Sequence, residues 1–290
     1  MIEFEPRAVV LPSGNVTYLD AGAGSSEIVV LLHGGGLDCA RLSWRLLIPE
    51  LAKTCRVPAP DWPGYGGTDA FGRPYTISDL GQWLMAFLDH LGVGQASFVG
   101  ISMGGGAALW SAINRPERVK ALVPVGSFGI AERAPYHRLS YLLTKLPLNA
   151  VSYALLRRYP ALLRRSVEAL FSDPKRVTPD LVAEVADVLK TAGSGAAFTH
   201  FQRGEMTVTR LRSVFAEDLG MISHPILFIH GNKDALVPIE EVEATLSGLQ
   251  NAHLEAMDAG HWPMREQPLA FNELVVSFLG RAARESRPSG

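Results

Sequence analysis

The feature that most narrows the folds open to this chain is an alternation. Short runs rich in β-branched and aliphatic residues end at glycine, proline or a charge, and longer stretches of helical periodicity lie between them. The runs Val16–Asp20, Glu27–Leu32, Arg56–Pro60, Ala96–Ile101, Ala121–Val125, Ile226–Ile229 and Leu254–Met257 predict strands. Arg56–Pro60 is the weakest of them, because Pro58 and Pro60 interrupt it. Helical spacing is predicted over Ser43–Lys53, Ser78–Leu91, Met103–Asn114, Ile239–Leu249 and Leu269–Leu279. Near-continuous apolar strands separated by helices require an α/β fold with a mainly parallel central sheet and helices on both faces.

The alternation stops between Phe128 and Phe215. These 88 residues show no strand pattern, and Tyr136–Leu170 and Pro179–Thr191 read as helices. The segment holds 13 Lys/Arg and 7 Asp/Glu, a net of +6, which leaves −8 on the remainder of a chain whose total is −2. We therefore expect an α/β core formed by residues 1–127 and 216–290, with a helical cap inserted at 128–215. A lid over a pocket is the sharper reading of that cap, and extra packing the plainer one.

Composition excludes several classes. With 47% hydrophobic and 19% charged residues the chain can bury a large core. The near-neutral charge argues against a general nucleic-acid binder. Cys39 and Cys55 cannot form a disulfide framework, so a reducing, cytoplasmic location is expected. Met1–Val10 lacks the pattern of a signal peptide. No apolar stretch approaches the ~20 residues of a membrane helix, so no stable membrane insertion is expected. The polar tail Arg281–Gly290 is expected to fray.

The motif with most chemistry is Gly100-Ile101-Ser102-Met103-Gly104, set where a strand gives way to a helix. In that context Gly-x-Ser-x-Gly is a nucleophile elbow: a sharp turn between small residues that lifts the Ser102 hydroxyl off the sheet. The following N–H, that of Met103, then lies where a reacting carbonyl would sit. A second oxyanion donor is expected from Leu32-His33-Gly34-Gly35-Gly36, with Gly35 preferred and Gly36 the alternative. His33 reads as structural. Among the eight histidines His261 best fits a general base, in the loop Asp258–Pro263 after a strand. Asp234, in the loop after the preceding strand, is the preferred acid, and Asp258 its rival. His230 with Asp234 would make only an incomplete metal pair, so neither metal nor cofactor is expected.

The order Ser102, Asp234, His261 resembles the α/β-hydrolase family over nearly the whole chain. Asp61-Trp62-Pro63-Gly64-Tyr65-Gly66 looks like that family's Asp-x-x-Gly-x-Gly loop, which is structural and borders the cleft. Within the family, His33–Gly36, Ser102–Gly105 and Gly260-His261-Trp262 are similar to carbon–carbon bond hydrolases that cleave ring-fission products of aromatic catabolism. Leu37-Asp38 in place of Pro-Gly, and Ile101 in place of Asn, depart from them. The resemblance implies Trp262 as a substrate-binding residue after the base and a cap arginine for a substrate carboxylate, for which Arg203 is a candidate. Two enzymatic readings follow. The first is a cofactor-free serine hydrolase that cleaves a small carboxylic ester or related acyl substrate through an acyl-enzyme. The alternative is a carbon–carbon hydrolase of vinylogous diketo acids. A non-catalytic binding protein on the same fold is the distant third.

Overall fold

A computed structural model describes residues 5–190, 194–249 and 251–285. Eight strands appear in chain order: β1 (Arg7–Leu11), β2 (Gly14–Ala21), β3 (Val29–Leu32), β4 (Val57–Pro60), β5 (Ala96–Ile101), β6 (Val119–Val125), β7 (Ile226–Gly231) and β8 (Ala252–Met257). Strands β3, β5, β6, β7 and β8 form a parallel sheet in that spatial order. Antiparallel β1-β2-β4 extends it, joined at the Ile28–Arg56 bridge, where Val29 N–H donates to the Arg56 carbonyl at 2.9 Å. Pro58 and Pro60 carry no N–H, which limits the ladder β4 can offer to β3.

The helices are α1 (Ala40–Trp44), α2 (Ile48–Leu51), α3 (Ile77–His90), α4 (Met103–Asn114), α5 (His137–Leu143), α6 (Leu148–Arg158), α7 (Pro160–Glu168), α8 (Pro179–Lys190), α9 (Ser194–Glu205), α10 (Ile239–Leu246), α11 (Pro263–Glu266) and α12 (Pro268–Glu285). Alternate strand residues point to opposite faces. Val30, Leu32 and Phe98 accordingly enter one core, packed by Leu84 and Phe87 of α3 and Ala107 of α4. Val29, Leu31 and Val99 enter the other, packed by Trp44 of α1 and Phe271 and Val275 of α12. The doubly covered sheet is the α/β arrangement read from the alternation.

Several expectations need correction. Strand β1 was not anticipated, because its exposed edge carries polar and apolar residues without a strong run. Ser43–Lys53 is two short helices rather than one. Tyr136–Leu170 is three, restarted at Pro147, which precedes α6, and at Pro160, the first residue of α7. Helix α9 was missed: its apolar spacing is weak and Gly195 and Gly204 dilute it. The tail is helical to Glu285, and the rest of it lies outside the described residues, as does Thr191.

The helices α5–α9 lie between β6 and β7 and fold over one end of the sheet. Phe198 of α9 packs on Gly35, Ala197 on Gly64, and the Tyr153 hydroxyl of α6 lies beside Gly36. The glycine loops after β3 and β4 are therefore roofed by cap side chains.

Candidate active site

Strand β5 ends at Ile101, and Ser102 turns the chain into α4 with φ 50° and ψ −114°. A positive φ is costly for a side-chain-bearing residue, by about 1–3 kcal/mol, and marks a position held by its surroundings. Here the holding groups are backbone. Ser102 N–H donates to the Val125 carbonyl at 2.9 Å, and Phe128 and Gly106 N–H donate to the Ser102 carbonyl, each at 3.0 Å. A Cβ on Gly100 would strike the Gly104 carbonyl, and one on Gly104 the Leu32 carbonyl. The elbow thus needs glycine on both sides of the serine.

The loop after β3 comes up beside it. A Cβ on Gly34 would lie 3.6 Å from Ser102 Cβ, and one on Gly35 3.6 Å from Met103 Sδ. The three glycine N–H groups have different fates. Gly34 donates to Asp38 Oδ2 at 2.7 Å and Gly36 to the Tyr65 hydroxyl at 3.2 Å. Gly35 N–H has no acceptor among the described residues. It is therefore the donor left free for a ligand, which separates it from Gly36. The Met103 N–H opens α4 and lacks an intrahelical partner for the general reason that first-turn amides do; the helix start adds partial positive charge there.

His33 is structural, as read. Burial holds its imidazole neutral, down to about 3, against the opposing pull of its bond to Gly34. Nδ1–H donates to the Gly34 carbonyl at 2.7 Å and Nε2 accepts from Trp62 N–H at 3.0 Å, while Trp62 Nε1–H returns to the His33 carbonyl. These bonds tie the Gly34–Gly36 loop to the Asp61–Gly66 loop.

Beneath them sit two carboxyls, Asp38 buried and Asp61 half-buried. Burial raises Asp38 to about 6, with Ser43, Gly34 and Cys39 hydrogen bonds pulling it back. Burial raises Asp61 to about 7, opposed by Ala40 N–H and reinforced by Asp38. A carboxyl raised by folding stabilises the fold fully below its unfolded value of about 4, and that contribution is lost as pH rises through the folded value. The pair should therefore erode stability between about pH 4 and pH 7. In Asp38→Asn, which cannot titrate, urea unfolding across that window should show a flatter fall than wild type, by on the order of 1–3 kcal/mol. An unchanged slope would contradict the assignment.

The candidate acid and base follow β7 and β8. Asp234 Oδ1 accepts from Leu236 N–H at 2.8 Å and Val237 N–H at 3.1 Å; Oδ2 accepts from His261 Nδ1–H at 2.7 Å. Burial pushes the Asp234 carboxyl up, but the His261 bond and charge and the two loop amides more than offset it and hold it below the usual range. With Nδ1 engaged, His261 Nε2 is the ring nitrogen left to accept a proton. Gly126, with φ 45°, lies against this pair: a Cβ there would be 3.2 Å from Asp234 Oδ2 and from the His261 ring. The Val125–Phe128 turn thus holds Ser102 on one side and the acid–base pair on the other. His230 Nε2 bonds the Val237 carbonyl at 2.8 Å and stands 3.6 Å from Asp234 Oδ2, so it braces the acid loop. Asp258 is exposed and paired with Lys233 at 2.7 Å.

Both residues expected at the substrate have protein partners in the structure. Trp262 is buried edge-on against Phe171, with ring centroids 6.5 Å apart. Arg203 Nε donates to the Thr144 carbonyl at 2.7 Å, tying α9 to the end of α5. Glu266 was not anticipated as part of the site. Its buried carboxylate accepts from Gly260 N–H at 2.7 Å, from Ser172 N–H at 3.0 Å and from Arg176 at 3.0 Å. His261 N–H donates to the Leu170 carbonyl at 2.8 Å. The base loop is thereby stapled to residues 170–176. Breaking one partner of such a buried network costs about 3 kcal/mol. Glu266→Gln should lower unfolding stability by that order and reduce turnover through a misplaced His261; a variant of wild-type stability would contradict the staple.

A cavity of about 370 Å³ adjoins the acid loop, lined by Ser127, Phe128, Leu211, Leu236 and Val237, with Arg133 and Glu241 also on its wall.

The profile of the alpha/beta hydrolase fold family matches residues 27–268. The 2-hydroxymuconate semialdehyde hydrolase of Pseudomonas sp. is 32% identical over 95% of this chain and 94% of its own. The 2-hydroxy-6-oxo-2,4-heptadienoate hydrolase of Pseudomonas putida is 32% identical over 96% of this chain and 98% of its own. A solved meta-cleavage product hydrolase from Pseudomonas fluorescens superposes with a TM-score of 0.78 at 27% identity, covering 95% of this chain and 98% of its own. Sheet order, elbow and full-length similarity lead to one statement: the chain belongs to the α/β-hydrolase fold family.

Proposed function

We propose that this hydrolase cleaves a carbon–carbon bond in a vinylogous diketo acid, of the kind produced when an aromatic ring is opened, with Ser102 as nucleophile, His261 as base and Asp234 as its orienting acid. One observation carries the choice of bond: full-length relatives are named as hydrolases of 2-hydroxy-6-oxo-dienoates and 2-hydroxymuconate semialdehyde. Ester cleavage, placed first on the motifs alone, uses the same groups and is the second reading. The motifs could not separate the two, because the bond broken is set by the substrate.

Carbon departs only if its electron pair is delocalised. In the keto tautomer of a 2-hydroxy-6-oxo-dienoate, the carbon beside the 6-oxo group leaves as the terminus of a dienolate that runs to the 2-oxo group. His261 Nε2 takes the Ser102 proton while Asp234 holds the imidazole and stabilises its charged form. Ser102 Oγ adds to the 6-carbonyl, and the Gly35 and Met103 N–H groups receive the oxyanion. The carbon–carbon bond breaks, the dienolate takes the proton held on His261 Nε2, which leaves the imidazole neutral, and the acyl group stays on Ser102. Water activated by His261 then releases the acid. The apolar cavity beside Leu236 and Val237 suits the non-polar end of such a substrate.

The test is product analysis in ¹⁸O water. Two fragments, with the label in the new carboxylic acid released from the 6-oxo end, are expected. Failure of the purified protein to fragment any such dienoate, with rapid turnover of p-nitrophenyl esters, would favour the ester reading.

A further inference from the structure

Two consecutive cap helices turn apolar stripes away from the protein. On α5, Leu139, Leu142 and Leu143, continued by Leu146, repeat at helical spacing on one side. The other side is anchored by buried His137, which accepts from Ala134 N–H at 3.2 Å and bonds the Thr207 carbonyl at 3.0 Å. On α6, Leu148, Val151 and Leu155 lie opposite Tyr153, whose buried ring faces Gly195 and the oxyanion loop. These seven aliphatic residues are each 40–61% exposed. Isolated exposed leucines need no explanation, but adjoining stripes do.

Charge points to what covers them. Residues 137–158, which hold both helices, contain four cations and no Asp or Glu. A solvated helical face intersperses both signs. An apolar stripe flanked only by Lys and Arg is the pattern of helices lying in the plane of an anionic interface. A second copy fits less well, since a two-fold contact would press one cationic face against another.

We propose that the α5–α6 face of the cap docks this protein on the surface of an anionic lipid bilayer, with the leucine stripes in the acyl boundary and Arg138, Lys145 and Arg158 on the headgroups. Docking is in the plane of the interface: among the described residues no helix is long and apolar enough to cross a membrane. This inference is independent of the bond the enzyme cleaves.

The test is co-sedimentation of the full chain with vesicles of phosphatidylcholine alone, or of phosphatidylcholine with phosphatidylglycerol. Binding is expected to the anionic vesicles, weakening between about 0.1 M and 1 M salt. Leu142→Ser/Val151→Ser/Leu155→Ser should abolish it. Arg138→Glu/Lys145→Glu/Arg158→Glu should reduce partitioning about a hundredfold. Both variants should keep the circular dichroism and the Ser102 labelling by a fluorophosphonate of wild type; the charge reversal, confined to exposed side chains, carries the test if the serine variant does not fold. The proposal is overturned by absence of binding, by equal binding to neutral and anionic vesicles, or by binding that neither variant alters. It is overturned also by a dimer in sedimentation velocity that the serine variant dissolves while vesicles capture nothing; the face would then belong to a second copy.

Discussion

Ser102→Ala is expected to lower kcat by about 10⁴- to 10⁶-fold while leaving the fold intact. Among the described residues the hydroxyl makes no structural bond: the elbow is held by the Ser102 backbone, through Val125, Gly106 and Phe128. Alanine accepts the same backbone contacts at φ 50°, at a similar conformational cost. Thermal unfolding near wild type, together with loss of turnover, is therefore the expected pair of results. A residual rate is expected to survive, because Gly35 and Met103 N–H groups still polarise the carbonyl. A folded alanine variant with wild-type turnover would remove the acyl-enzyme from the account.

Asp234→Asn is the second large effect, about 10⁴-fold in kcat. The asparagine keeps the shape of the loop but cannot hold His261 Nδ1–H at 2.7 Å as a carboxylate does, nor stabilise an imidazolium. Its amide would instead favour the wrong tautomer. The control is Asp258→Asn, at an exposed position paired with Lys233 and Arg176, which should change kcat by no more than about twofold. The reverse ranking of the two variants would move the acid to Asp258. Asp234 also carries a stability signature. Its carboxyl is held below the usual range, so its contribution is present above the unfolded value of about 4 and is lost as pH falls through the lowered folded value.

What was legible in the sequence was local. Strand-to-helix transitions at glycines disclosed the parallel sheet, the elbow at Ser102 and the positions of Asp234 and His261, because each depends on a short segment with its own steric demand. What was not legible depends on distant partners. The sequence prefers Gly35 but leaves Gly36 open; Tyr65, 29 residues from Gly36, shows that the Gly36 amide is already engaged. Glu266 gains its meaning from Ser172, which lies 94 residues away. Trp262 gains a neighbour, Phe171, from 91 residues back along the chain, and the two rings pack together. Arg203 was likewise drawn into cap structure by Thr144. The split of Tyr136–Leu170 was visible in Pro147 and Pro160, yet a helical pattern carried across both prolines outweighed them.

The cap also separates the two faces of this protein. Its inner side places Phe198 and Tyr153 over the Gly34–Gly36 loop, and its outer side carries the apolar stripes with their flanking cations. Substrate choice should follow the inner side. Bulk changes at Phe198 act directly on the space above Gly35, whereas changes at Leu142 or Val151 do not.

The proposal stands on Ser102, His261 and Asp234 acting on a substrate with a carbon leaving group. The most direct measurement is kcat/KM for a 2-hydroxy-6-oxo-dienoate, followed by loss of its ultraviolet absorbance, against that for the p-nitrophenyl ester of the same acyl group. The account expects the dienoate to be preferred, with both activities lost in Ser102→Ala. A preference for the ester, or dienoate cleavage that persists without Ser102, would contradict it.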